Sequence, residues 1–467
     1  MHSQVRRFWC RAGFLLGCLL PTLVVGGWLA YQRTDSYRAT LARRWSEAIA
    51  QRLGVRVSID DVTRPEPGLT RLTGVLFLDP ETGERLASTR RVEVAQQGSG
   101  WLAYCGQAEV PAERLARLAH LVHDSLLARS ALHGDAPSQL ILHALTLEGS
   151  GPTGGHSAGD AARGGAARTS GTGGGARGNA TAGGGSQTLE DLQLVYQPRE
   201  TGPRTTVEFR LAGVEMSQPA RLVVARNRQS SPAVTSVTFD TGPHSLPCSL
   251  LATVVPGIEQ LGRDAQVGGE ITLTPGPDGW QGQAHGRITR LDLDSLLAGR
   301  FPHKLTGVAE IVINRARWED GRLLDASGAI ATRGGVVSRS LLIAASDESG
   351  LKLGVPERVR DSKEPLWRYR ELGLGFELSE QGLQLAGQCG GESAGAILID
   401  GLGALASESS QPLRSIAGLL RTLAPQNEIQ VPASAQTESL LRRLPLPPLV
   451  DPPPTVARPR YIPLRLR

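Results

Sequence analysis

Leu72-Thr73-Gly74-Val75-Leu76-Phe77-Leu78-Asp79-Pro80-Glu81-Thr82-Gly83 reads as a near-continuous apolar strand running into a turn. Proline, glycine and acidic residues punctuate its end as they punctuate turns generally. A related unit, a small or apolar residue followed by Gly and then alternating apolar positions, recurs four more times. It stands at Leu211-Ala212-Gly213-Val214, Val267-Gly268-Gly269-Glu270-Ile271, Leu305-Thr306-Gly307-Val308 and Ala326-Ser327-Gly328-Ala329-Ile330. Glycine near a strand start permits a bulge or a close backbone approach. Its repetition predicts an antiparallel sheet assembled from serial hairpins, and hence an α+β chain that is mainly antiparallel β.

Toward the N-terminus the period changes. Val55, Val57 and Ile59 alternate, as do Val92 and Val94 beyond the turn. Residues 36–53 form an amphipathic helix with Leu41, Trp45, Ala48, Ile49 and Leu53 on one stripe and Gly54 as its stop. Residues 12–32 are uncharged, with Arg6, Arg7 and Arg11 before them and Arg33 after. About 20 apolar residues at ~1.5 Å rise match a ~30 Å hydrocarbon core, so this run is expected to be a single transmembrane helix. Phe8 and Trp9 at one end, and Trp28 and Tyr31 at the other, occupy the places of aromatic belts.

Two alternatives attend the anchor. A signal peptide cut near Val25-Gly26-Gly27 would need a shorter apolar stretch and small residues where Trp28 and Tyr31 stand. Leu15-Leu16-Gly17-Cys18 resembles a lipoprotein cleavage site, but few apolar residues precede it. Arg33, Arg38, Arg43 and Arg44 follow the run as densely as arginines precede it. Long C-terminal domains translocate largely regardless of such charges, which places the N-terminus in the cytoplasm and the bulk outside.

Toward the C-terminus, residues 111–132 read as a second helix, with Pro111 in its first turn and Leu115, Leu118, Leu121, Val122 and Leu126 on one face. Residues 140–147 form a strand. From 149 to 187 the chain is Gly, Ala, Ser and Thr with a few arginines, too poor in large apolar groups to offset the ordering entropy of a fold. It reads as a flexible insertion between two strands of one sheet, since Leu189, Leu192, Leu194 and Tyr196 resume strand patterning at once. Short helical segments are expected at 245–257, 292–298, 413–423 and 433–443. The organisation is therefore 1–35 cytoplasmic terminus and anchor, 36–148 α+β module, 149–187 insertion, 188–444 repetitive antiparallel β, and 445–467 Pro-rich tail.

Composition excludes more than it selects. Among 467 residues, 50 basic groups face 45 acidic ones, so no basic patch for nucleic acid is implied. Three of the 50 are Lys (Lys304, Lys352 and Lys363) and the other 47 are Arg. Cys10 and Cys18 lie in or beside the apolar run. Cys105, Cys248 and Cys389 are scattered and odd in number, so this is no disulfide scaffold, and no CxxC pair offers metal or redox chemistry.

Gly391-Glu392-Ser393-Ala394-Gly395 fits the G-x-S-x-G nucleophile elbow and resembles the serine motif of carboxylesterases. That elbow needs a helix after it and a histidine later in the chain. Ala396-Ile397-Leu398-Ile399 reads as a strand, and the last histidine is His303, so a Gly/Ser hairpin turn is the better reading. His120 and His123, with Asp124, could turn two imidazoles toward one metal. A third and fourth ligand are missing, Glu113 is the nearest acid on that face, and His133, His143, His156, His244, His285 and His303 form no spaced cluster. Ser349-Gly350-Leu351-Lys352 matches S-x-x-K but lacks its partner motifs, and no phosphate-binding P-loop is present. No catalytic, cofactor-binding or metal-binding residue is assigned. The chain is expected to be no enzyme and to need no cofactor.

The anchor and entry module resemble the N-terminus of the AsmA/TamB-like envelope proteins. The residues that carry the likeness are the run 12–32, the helix 37–53, Leu53-Gly54-Val55-Arg56-Val57-Ser58-Ile59, Leu72 through Pro80, and Arg91-Val92-Glu93-Val94. Gly286-Arg287-Ile288-Thr289-Arg290-Leu291-Asp292-Leu293-Asp294-Ser295-Leu296-Leu297, then Leu305 through Ala309, Asp325-Ala326-Ser327-Gly328 and Gly382-Leu383-Gln384-Leu385-Ala386-Gly387, are similar to the family's later repeats. The resemblance implies a bacterial inner-membrane protein, single-pass, with its bulk in the periplasm. It also implies an extended, curved, groove-like sheet with an apolar interior, handling lipid or assisting outer-envelope assembly. About 20 strands at ~4.8 Å would run at most ~95 Å, which favours a short module working with envelope protein partners. A structural or secretion-associated scaffold that binds proteins through the same sheet is the alternative, and a serine hydrolase the second.

Overall fold

In the computed structural model, the described residues are 13–32, 34–98, 100–128, 136–149, 186–252, 258–276, 279–297, 301–320, 322–354, 356–361, 363–390, 395–409, 413–414 and 422–423. The chain divides into two compact units. The first comprises Met1–Pro275, Ala284–Leu296 and Val308–Ile311; the second comprises Gly276–Gln283, Leu297–Gly307 and Val312–Arg467.

The N-terminal run is helical but not one α-helix. A π-helical segment, Leu15–Leu19, precedes the 13-residue helix α1 (Leu20–Gln32). Pro21 has no N–H to close the preceding turn, and its ring crowds the carbonyl four residues back. At ~1.5 Å per residue α1 is about 20 Å long, short of a ~30 Å apolar core. No helix among the described residues is long and apolar enough to cross a membrane, so the transmembrane helix expected over 12–32 is not found as such. Helix α2 (Asp35–Leu53) follows, with Thr34 accepting from the Tyr37 N–H at its start and Gly54 left-handed at its end (φ 68°). Its buried stripe differs from the expected one by a small rotation. Ala42, Leu41, Trp45, Ile49, Ala50 and Leu53 pack inward, while Ala48 faces solvent.

Strands β1 (Arg56–Glu66), β2 (Leu69–Leu78), β3 (Arg85–Gln97) and β4 (Gly100–Pro111) form an antiparallel meander. Pro111 ends β4, and after a 3-10 turn helix α3 (Leu115–His123) begins later than expected. That helix carries a crossover, because β5 (Ser138–Glu148) pairs with β4 in parallel, a departure from serial hairpins. Strand β6 (Gln187–Gln197) then pairs antiparallel with β5, so the Gly-rich insertion does join neighbouring strands; residues 150–185 lie outside the described part. The meander continues through β7 (Arg204–Leu211), β8 (Ala220–Asn227) and β9 (Val234–Asp240). A two-residue β10 (Leu246–Pro247) and β11 (Gln266–Pro275) complete it, with helix α4 (Cys248–Leu251) between them and β11 paired to β9.

One irregularity runs across six of these strands at the same level. Val62, Leu72, Val92, Cys105, Leu142 and Leu192 are successive cross-strand partners. So are Ile59, Val75, Thr89, Ala108, Leu145 and Leu189. The two rows lie three residues apart, a spacing that in a regular pleat puts side chains on opposite faces. Yet the apolar members of both rows belong to the same two core clusters, and Thr89 is buried with them. Each strand therefore skips half a pleat between the rows. Gly74 (φ 62°) and Asp191 (φ 49°) are the residues that take left-handed backbone to do so. The step ends at β6–β7, where Leu189–Leu194 opposes the shorter Val207–Leu211 through a bulge.

Helices α2 and α3 cover this part of the sheet. Leu118 touches both clusters, and Leu115 and Leu121 extend them. Asp79, buried at the β2–β3 turn, ties α3 down: its Oδ1 accepts the Glu81 N–H (2.8 Å) and its Oδ2 accepts from Arg117 Nε (2.8 Å).

In the second unit, β14 (Arg322–Ser338) pairs with β16 (Leu366–Ser379), which also bonds β17 (Gly382–Gly387) and β18 (Ala396–Ile399). Strands β15 (Lys352–Leu353), β19 (Ala404–Ser407) and β20 (Leu413–Arg414) extend the pairing. Between β11 and β14 lie β12 (Trp280–Asp292), helix α5 (Leu293–Leu297) as expected, and β13 (Val308–Glu319). Helices α6 (Arg339–Ser349) and α7 (Pro356–Asp361) close over a core of Val337, Leu342, Val359, Trp367 and Leu405. The helices expected at 413–423 and 433–443, and the tail 445–467, fall almost wholly outside the described residues.

Two outcomes follow. Gly74→Val should lower stability by roughly 2 kcal/mol, because a β-branched residue resists left-handed backbone and its Cβ would collide with the Asp60 carboxylate; the midpoint of urea unfolding reads this. Arg117 holds the Asp79 carboxyl down at about 2. Its contribution is complete above the ordinary carboxylate value near ~4 and is lost as pH falls from there toward 2. Asp79→Asn should flatten that part of the stability–pH curve.

Candidate functional site

Beyond the helices the apolar face of the first unit changes character. Leu140, Leu194, Val207, Leu222, Phe239 and Ile271 are successive cross-strand partners from β5 to β11. A second row runs Tyr196, Thr205, Val224, Val237, Leu273. Where the stepped rows are mostly buried, the six residues of the first row and the three apolar residues of the second after Thr205 are only half-buried. Phe209 and Phe239 stack at 6.4 Å between ring centroids, and Met216 and Leu250 pack nearby. The result is a half-open apolar strip six strands wide, about 24 Å at ~4.8 Å per strand.

The opposite face is charged. Arg71 and Arg91 both pair with Glu93, Asp191 lies 3.7 Å from His143 and 3.5 Å from Arg210, and Arg221 lies 3.6 Å from Glu208. Asp240 and Glu270 point to this face, since each adjoins a residue of the apolar strip in sequence. They are also direct cross-strand partners. Beside them a polar cleft of about 490 Å³ is lined by Gln218, Asp240, His244, Glu270, His285 and Arg287, and its floor is the glycine backbone of 242, 268, 269 and 286. The floor is bare for a steric reason. A Cβ on Gly269 would stand 2.5 Å from Gly286 Cα, and one on Gly286 would stand 2.9 Å from Gly269 Cα. His244 is fixed in the wall, its Nε2 accepting from the Ser217 N–H (2.8 Å) and meeting the Ser217 hydroxyl at 2.9 Å.

Among the described residues, those singled out in the sequence are not brought together into one group. Residues 391–394 of the G-x-S-x-G motif lie outside the described part; Gly395 (φ 74°) turns directly into β18, a strand where a nucleophile elbow requires a helix. Ser349 is the buried last residue of α6, its Oγ 2.6 Å from the Thr422 hydroxyl, whereas Lys352 is exposed. His120 and His123 both turn to Asp124, at 3.1 Å each, and His123 Nε2 also meets Thr235 at 3.3 Å. Among the described residues no group of three or more His, Cys, Asp or Glu is placed to hold a metal ion. Cys105, Cys248 and Cys389 are free thiols, and burial raises all three pKa values, that of Cys248 to about 11. None has the thiolate character that nucleophilic chemistry requires.

Sequence reasoning missed helix α6 and the buried histidine beneath it. Ser338 caps α6 by accepting the Leu341 N–H (3.3 Å), and Gly350 ends it in left-handed backbone (φ 61°). Both signals are present in the sequence. His303 is buried, with Nδ1 2.9 Å from Ser340 Oγ and Nε2 2.9 Å from the Thr422 carbonyl oxygen. A carbonyl only accepts, so Nε2 carries a proton. Comparison with known protein families, with curated proteins and with solved structures finds no match.

Burial lowers the His303 pKa below the ordinary histidine value of 6.5. A titration followed by imidazole ¹⁵N shifts should show the Nε2–H tautomer persisting below pH 6.5. Because the folded value is depressed, folding should weaken as pH falls through 6.5 toward it, and His303→Gln should remove that dependence.

Proposed function

We propose that this chain is a non-enzymatic, membrane-attached envelope protein whose sheet handles lipid or a lipid-like ligand along its half-open apolar face. The observation that carries the reading is the strip Leu140, Leu194, Val207, Leu222, Phe239 and Ile271, left half-buried where the adjoining apolar face is closed by helices. Apolar surface of that extent favours contact with another apolar phase. Attachment falls to the N-terminal helical stretch. Phe14, Leu15, Leu16, Leu19, Leu20, Leu23, Val24 and Val25 are all exposed there. So dense an exposed apolar run supports insertion into a bilayer, with the arginines at 6, 7 and 11 on the cytoplasmic side and the sheet in the periplasm. The resemblance to AsmA/TamB-like envelope proteins agrees with this arrangement.

The full chain should float with liposomes, and a chain lacking residues 1–33 should not. Native mass spectrometry of the full chain released from detergent should retain bound phospholipid. Val224→Asp with Phe239→Asp should remove that lipid while leaving flotation unchanged. A lipid-free mass for the unaltered chain, with a stoichiometric protein partner instead, would replace this reading with the scaffold.

A further inference from the structure

The polar cleft on the charged face is independent of the lipid reading and carries its own inference. Asp240 and Glu270 stand directly opposite one another on β9 and β11, a like-charge pairing that destabilises a sheet when nothing bridges it. The cation on the neighbouring strand, Arg221, is paired across from Asp240 but its guanidinium is turned to Glu208. Asp240 accepts the Gly242 N–H (2.7 Å) through Oδ1, and Glu270 Oε1 meets only the Thr272 hydroxyl at 3.5 Å. Arg287 lines the same cleft, yet no ion pair among the described residues joins it to either carboxylate. Opposite charges are thus held on one 490 Å³ concavity without closing on each other, above a floor where glycine contacts exclude any side chain.

The geometry points to this cleft as the binding site of a small zwitterion, an ammonium group lying between Asp240 and Glu270 and a phosphate or carboxylate meeting Arg287. An ammonium offers donors to both carboxylates at once and relieves their repulsion. A guanidinium presents a planar fork to an anionic oxygen pair. His285, exposed on the rim, adds a donor on the Arg287 side. The same aminophosphate chemistry is offered by a soluble metabolite and by an aminophospholipid headgroup.

Isothermal titration of the full chain in a non-ionic detergent, with O-phosphoethanolamine as the probe, tests this. Binding is expected, with inorganic phosphate alone and ethanolamine alone each at least roughly tenfold weaker, the loss of about one charge-assisted hydrogen bond or more. Glu270→Gln and Arg287→Gln, both at solvent-reached positions, should each weaken binding by roughly tenfold with thermal stability not lowered. No binding of O-phosphoethanolamine, or binding by both variants as tight as by the unaltered chain, would overturn the inference. Where binding is found, competition by vesicles containing phosphatidylethanolamine assigns the headgroup as its source, and no competition assigns the soluble zwitterion. Flotation and lipid retention depend on other residues, so failure here leaves the membrane reading intact and the converse holds as well.

Discussion

The half-pleat step shared by β1 through β6 is the constraint on which the first unit depends. Side chains alternate across a strand, so a strand that skipped half a pleat alone would turn every later apolar residue to solvent. It can be tolerated only if each neighbour skips at the same level. The two cross-strand rows show that they do, with two residues between the rows in every strand from Ile59–Val62 to Leu189–Leu192. The step is therefore cooperative. Its local cost, left-handed backbone at Gly74 and Asp191, is offset by two rows that stay in the apolar clusters. Aspartate is among the few non-glycine residues that accept such backbone readily, which suits Asp191 to its place.

That constraint also governs what the helices can do. Helices α2 and α3 close the stepped part of the sheet, with Leu41, Trp45, Ile49, Leu115, Leu118 and Leu121 packed in its clusters. On the same face, the row from Leu140 to Ile271 and the row from Val224 to Leu273 are left half-buried. One sheet thus presents a sealed core at one end and an accessible apolar strip at the other. The opposite face is held in water by a ladder of charge pairs, most of them exposed and each worth ~1 kcal/mol or less. Solubility of that face, more than stability, is what the ladder supplies.

Much of this was legible in the residues. The β-rich class, helix α2 with its Gly54 stop, the neighbouring placement of β5 and β6 around the insertion, and helix α5 all follow from period and punctuation. Three things did not. The parallel β4–β5 pair was hidden because Pro111 reads equally well as a helix start or a strand end, and the crossover moves α3 downstream. The division of the N-terminal helix at Pro21 was masked by uniform hydropathy, which counts residues and ignores a missing N–H. The step was hidden most deeply. The repeated Gly unit was read as a mark of strand starts, but Gly74 sits inside β2, and the matching step that accommodates it lies in five other strands.

Glycine serves a second purpose at the cleft, for a different reason. Gly74 is required by its torsion angle, and Gly269 and Gly286 (φ 133° and 153°) are required in addition by each other, because their backbones approach too closely for any Cβ. Mutual contact of this kind leaves a surface with backbone dipoles and no side chains, bounded by whatever flanks it. Here Asp240, Glu270, His244, His285 and Arg287 flank it. No spacing rule reveals such a group, since its members come from three strands and a turn. Ser349 and Lys352 illustrate the converse: a short motif invites a chemical reading, yet Ser349 is buried against Thr422 while Lys352 is exposed. The two surfaces, one apolar and one charged, are created by strand pairing and not by any local run of residues.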